Sequence, residues 1–221
     1  MASTSEVTIG AKVANAEKLL THLKSFVGFN PPTPELSGTE LNTRIDKIKS
    51  QNIDAAGTAQ TYSAAVDTRQ KLFQKDSDSL IKILPSLGAT VRSAFGKTSK
   101  EAADVASLIT KIRGVKTKKP AKDATAEFVS QSERSFGSMT QNYSDLIVRL
   151  EKYGANYNPS NATIKLAALK DKLTKLTDAN NKVTASYGAF KGARDTRLVL
   201  YKDLTAITQR IKDAVKSQYG L

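Results

Sequence analysis

The residues of this chain best placed for chemistry are cations, not nucleophiles, bases or metal ligands. Cysteine is absent and there is a single histidine, His22, so thiolate sites, His-rich metal sites and Ser-His triads lose their usual members. What remains is arginine and lysine chemistry, the capture of carboxylates or phosphates. Two arginines stand out, Arg69 and Arg197, each closing an Asp-Thr-Arg triplet (67–69 and 195–197). Each aspartate lies two residues from its arginine and so on another helix face. Each arginine therefore calls for an acid from a second helix or for a bound anion, and the internal ion pair is the expectation. A run without acids, 111–122, adds Lys111, Arg113, Lys116, Lys118, Lys119 and Lys122. Gly114 and Pro120 make it a loop, and it reads either as a solvated hinge or as a contact for nucleic acid or an acidic surface. It carries no aromatic residue on which a base could stack.

Two further features have plain readings. Residues 91–98 end in Gly-Lys-Thr like a phosphate-binding loop, but Val91 stands where the first glycine belongs and no strand precedes it. His22 falls near the end of a predicted helix and is expected to be exposed.

The elements that position the arginines come from an internal repeat. Residues 29–73 lie without a gap over 157–201, at a spacing of 128, with 10 of 45 positions identical. Both copies open on Asn-Pro (30–31 and 158–159) and close on Asp-Thr-Arg. Between these marks an apolar seam alternates steps of four and three, the spacing of helices packed side by side. In the first copy it runs Leu41, Ile45, Ile48, Asn52, Ala55, Ala59, Tyr62, and in the second Leu169, Leu173, Leu176, Asn180, Val183, Tyr187, Phe190. Asn52 and Asn180 interrupt it at the same depth. A buried asparagine fixes register because it must face a hydrogen-bond partner, and across a twofold the two could meet.

Read in order, the sequence predicts a helix over 7–27, broken by Gly28 and the prolines that follow. A second starts near Ser37, where Glu40 completes a capping box, and runs to about Leu84 before Pro85 stops or kinks it. A shorter segment, 87–95, leads to a helix capped by Thr98 or Ser99. Another helix spans about 123–153, and a last one about 162–218. The tail 215–220 resembles 91–96 at a spacing of 124, which implies a four-residue insertion in the first copy around Pro85.

The expected fold is all-α: one elongated helical domain over 1–221, a bundle of five to six helices, two of them long, with a pseudo-twofold duplication. Copy one covers about 19–96, the basic linker 111–122, and copy two about 146–220. Twelve glycines, six prolines and no tryptophan suit helix-on-helix packing better than a β-sandwich.

The net charge of +13 is uneven, about +7 falling in 161–221. No basic, apolar leader opens the sequence and no apolar run reaches the length of a membrane span, so a cytoplasmic protein is expected. These features predict a structural or protein-interaction bundle, self-associating or docking onto a partner, with no enzymatic role, cofactor, metal or small-molecule substrate. Two alternatives use the same charge: non-specific nucleic-acid binding through basic helix faces, and a membrane-active or lipid-surface helical protein, the less favoured because the apolar stripes are narrow.

Overall fold

A computed structural model describes residues 9–114 and 135–220. It is an all-α bundle, and no strand occurs among the described residues. Six helices follow in order: α1 Ile9–Leu23, α2 Gly38–Gln70, α3 Leu80–Phe95, α4 Lys100–Arg113, α5 Phe136–Glu151 and α6 Leu166–Tyr219. Two are long, α2 with 33 residues and α6 with 54.

Local chemistry sets most boundaries. Ser37 precedes α2, and its hydroxyl accepts from the Glu40 amide at 3.3 Å, half of the capping box. Ser99 caps α4 by accepting from Ala102 N at 3.1 Å, and Ser135 caps α5 by accepting from Ser138 N at 3.0 Å. Gly96 ends α3 and Gly114 ends α4, both at positive φ. The first helix is shorter than predicted: α1 stops at Leu23, and Val27 is 93% exposed instead of continuing the stripe.

The main correction concerns Pro85, which neither stops nor begins a helix. It lies inside α3 on the exposed side, where water can reach the backbone carbonyl that its missing N–H leaves free. The break comes earlier. After Gln70 the chain makes a π turn over Lys71–Lys75, turns extended at Asp76 (φ −61°, ψ 155°), and starts α3 after Ser79. The four extra residues of the first copy are thus absorbed at 75–79, upstream of the proline.

Chain packing forms two compact units, Met1–Tyr62 with Ser186–Leu221, and Ser63–Ala185. In the first, α1 gives Ala16 and Leu23, α2 gives Leu41, Ile45 and Ile48, and α6 gives Tyr201, Leu204, Ile207, Ile211 and Val215. In the second, α5 gives Met139, Tyr143, Leu146, Ile147 and Leu150, and α6 gives Leu169 and Leu176. Facing these, the π turn gives Phe73 and α3 gives Leu80, Ile83, Leu84, Leu87 and Val91, while α4 adds Val105, Ile109 and Ile112.

Several buried positions of the two cores recur at the sequence spacings. Leu41 and Leu169, Ile48 and Leu176, and Phe73 and Tyr201 are buried pairs 128 apart; Leu80, Ile83, Leu87 and Val91 stand 124 before Leu204, Ile207, Ile211 and Val215. Backbone follows suit. Short 3₁₀ turns occupy Pro34–Leu36 and Ala162–Ile164, and α2 and α6 begin at Gly38 and Leu166, each 128 apart. Each core joins the opening helices of one repeat copy to the closing helix of the other. Phe26 packs on Tyr219 at 5.0 Å between ring centres, and Phe95 on Tyr153 at 4.8 Å. Arg44 pairs with Asp203, and Lys172, which replaces it in the second copy, pairs with Asp78 at 3.0 Å. In the first unit Tyr62 stacks on its own counterpart Phe190, 5.9 Å apart and within 2° of parallel. The cores differ in one element, since the first unit has no counterpart of α4 among the described residues.

Candidate interaction surface

The seam asparagines each find a hydrogen-bond partner within their own unit. Asn52 Nδ2 donates to the Tyr201 hydroxyl at 2.8 Å. Asn180 Nδ2 donates to Thr140 Oγ1 at 3.0 Å and, at 3.4 Å, to the Phe136 carbonyl. The two do not meet. Phe73 stands where Tyr201 does and has no hydroxyl, so in the second unit Thr140 supplies the acceptor. Both Oδ1 atoms are buried without a partner.

Arg69 departs from the expected ion pair. Its guanidinium lies 4.2 Å from the centre of the Phe136 ring, a cation–π contact, and its buried Nε has no acceptor. Asp67, its neighbour, turns instead to Lys71 at 2.8 Å and Lys75 at 3.2 Å, and their hydrogen bonds hold its carboxyl below the usual range. Arg197 is half-buried and also forms no ion pair with any described residue. Lys111 and Arg113 close α4, whereas Lys116, Lys118, Lys119 and Lys122 lie outside the described residues. Residues 91–98 are the end of α3 and its glycine stop, with no strand before them, and His22 is exposed.

Burial perturbs two tyrosines of the second unit. Tyr143 donates to the Leu169 carbonyl at 3.2 Å and Tyr157 to the Ile164 carbonyl at 2.6 Å. Desolvation pushes the Tyr157 hydroxyl up to about 12, and Tyr143, more deeply buried, further still. Both are structural donors. Among the described residues no cluster of three or more His, Cys, Asp or Glu could hold a metal. A groove on the first unit gathers Glu40, Arg44, Lys47 and Asp203, but its arginine is committed to Asp203.

The surface that sequence reading missed is one face of α6. At 100° per residue, Tyr187, Lys191, Arg194, Leu198, Lys202, Thr205, Gln209, Lys212 and Lys216 fall within an arc of about 80°. All nine are exposed, and all belong to the first unit. Five are cations, spread over roughly 37 Å of helix, and none forms an ion pair with a described residue although ten other pairs do form. Asp195 and Asp213 flank the face on one side only, and Asp213 accepts from Gln209 at 3.0 Å. Exposed apolar groups interleave the charge: Tyr187 is 49% exposed and Leu198 55%. The signal was present as cations recurring three, eight, ten and four apart without an intervening acid on that face. Counting charge by segment hid it.

The class that fold and surface define is an all-α helical-bundle protein with a one-signed face. Comparison with protein-family models, with curated proteins and with solved structures finds no match to this chain. No described helix is long and apolar enough to cross a membrane.

Proposed function

We propose that this is a structural or protein-interaction bundle without enzymatic activity, built by duplication of a helical unit, which docks onto an acidic protein partner. The carrying observation is the α6 face, where Lys191, Arg194, Lys202, Lys212 and Lys216 form no ion pair with a described residue and exposed Tyr187 and Leu198 flank the first two of them. Unpaired cations beside exposed aromatic and aliphatic groups are the makings of a partner surface: charge guides encounter, and apolar area holds it. Self-association is the weaker form of this reading, because two copies at +13 would bring like charges together. A cytoplasmic location fits it.

The same cations support a second reading, non-specific binding to nucleic-acid backbone. One comparison separates the two. Wild type and a variant with Lys191, Arg194 and Lys202 changed to Gln are used as bait in extract treated with nuclease, and the same pair is titrated on duplex DNA across salt. Protein held by wild type alone after nuclease supports the docking reading. Retention that disappears with nuclease, or a salt-steep gel shift lost in the variant, transfers the face to nucleic acid. Identical behaviour of both proteins in both assays sinks the two readings together.

A further inference from the structure

The second unit shows what packs against a core of this design, and no described residue of the first unit fills that place. In the second unit α4 lies against α3 and α5, with Val105, Ile109 and Ile112 entering the core. Gly88 faces it, since an added Cβ there would come within 3.1 Å of Ile109 Cδ1; Met139 lies beside Ile112, and Leu84 and Tyr143 belong to the core that its side chains enter. The spacing of 124 carries Leu84 and Gly88 to Thr208 and Lys212 in the first unit. A spacing of 127, which relates α5 to α1 through buried Leu150 and Leu23 and through Tyr153 and Phe26, carries Met139 and Tyr143 to Lys12 and Ala16. Thr208, Lys212, Lys12 and Ala16 line a groove between α1 and the C-terminal part of α6, together with Asn15, Leu204 and Thr205. Its volume is about 240 Å³. Ala16 and Leu204 form a buried apolar floor. The rims have changed character, from Met139 and Gly88 to Lys12 and Lys212. No described acid lines the groove, and Asp195 and Asp213 project from the far flank of α6.

We propose that this groove receives an acidic amphipathic helix from a partner protein, seated as α4 is seated in the second unit. This rests on the docking reading above and names the partner's chemistry. The occupant needs small or aliphatic residues at helical spacing to meet Ala16 and Leu204. It needs carboxylates beside them to meet Lys12 and Lys212. A second copy of this chain is disfavoured by its own positive charge. A nucleic-acid duplex is too wide to reach the apolar floor.

The test uses full-length protein and a labelled helical peptide. The peptide keeps the spacing of Ala102, Val105, Ile109 and Ile112 and carries Glu at its exposed positions. Fluorescence anisotropy at low salt should show saturable binding, weakened about tenfold by Lys12→Glu with Lys212→Glu, a loss in the range set by close charge pairs at interfaces. Lys82→Glu, in the second unit, should leave it unchanged. Circular dichroism melts of the variants show whether the exposed substitutions leave the fold intact, and Lys12→Gln with Lys212→Gln serves in their place if they do not. Equal binding by wild type and groove variants overturns the proposal. So does equal binding of a scrambled acidic peptide, displacement by duplex DNA or anionic vesicles at lower concentration than unlabelled peptide, or a dimer in light scattering that depends on Lys12 and Lys212. The extract comparison keeps both groove lysines, so partner capture there with no peptide binding here leaves the docking reading standing and removes only this one.

Discussion

Single positions decide how each core tolerates polar atoms. Asn52 holds one hydrogen bond to Tyr201 while its Oδ1 stays buried and unpaired, so the asparagine is only half satisfied. Tyr201→Phe removes that partner and should destabilise the protein by about 1–2 kcal/mol, because it leaves a buried amide donor unpaired. Adding Asn52→Leu should recover most of the loss, since both ends of the bond are then gone; urea unfolding of the two singles and the double closes the cycle. Tyr157 makes a pH prediction. Its hydroxyl is raised to about 12 in the folded state from an ordinary value of 10, so its contribution is complete below pH 10. That contribution fades as pH rises toward 12, because only the unfolded chain gives up the proton readily. Tyr157→Phe should start less stable and lose less between those limits, which urea midpoints at stepped pH would record. The position of Arg69 was legible in sequence, but its partner was not: spacing shows that an arginine faces a neighbouring helix, and only the fold shows that a phenylalanine ring waits there.

At the scale of elements, the helices were readable because a step of four and three needs no tertiary information, but Tyr187, placed on the seam by that step, is 49% exposed. The site of the break was not. Pro85 is a strong local signal, yet the missing N–H costs little on a solvent-facing side, whereas the four extra residues must be absorbed where the seam would lose register. Replacing the proline should therefore stabilise α3 rather than fuse it to α2: Pro85→Ala is expected to gain about 1–2 kcal/mol from helix propensity and a restored hydrogen bond. A hydrogen-exchange experiment should still find residues 76–79 fast in that variant. Gly88 works in the opposite sense. With Ile109 3.1 Å from where a Cβ would stand, Gly88→Leu must push α4 off α3, at a cost of about 1–3 kcal/mol. The loss should fall on α4 amides first. The basic face of α6 was written in the sequence at helical spacing, but its exposure was not, because exposure depends on which helices cover which side of a 54-residue element.

For the whole molecule, the decisive property is that neither core belongs to one stretch of chain. The first joins Ala16 and Ile45 to Ile211, and the second joins Phe73 and Leu87 to Tyr143 and Leu169. Every route between the repeat copies runs through residues 115–134, so a cut there divides the contributors to both cores at once. Hydrophobic burial does not depend on covalent continuity, and each half would still need the other to cover its apolar stripes. A protease site inserted after Lys122 and cleaved under native conditions should therefore leave one species in size exclusion, with the helical signal unchanged. The two fragments should part only in denaturant. Refolding should then become concentration-dependent, because closing each core turns from an intramolecular search into an encounter, whereas the uncut chain should refold at a rate independent of concentration. Fragments that separate without denaturant would mean that the cores tolerate losing half their members, against the burial of Leu41, Ile48, Leu169 and Leu176 beneath residues from the other copy.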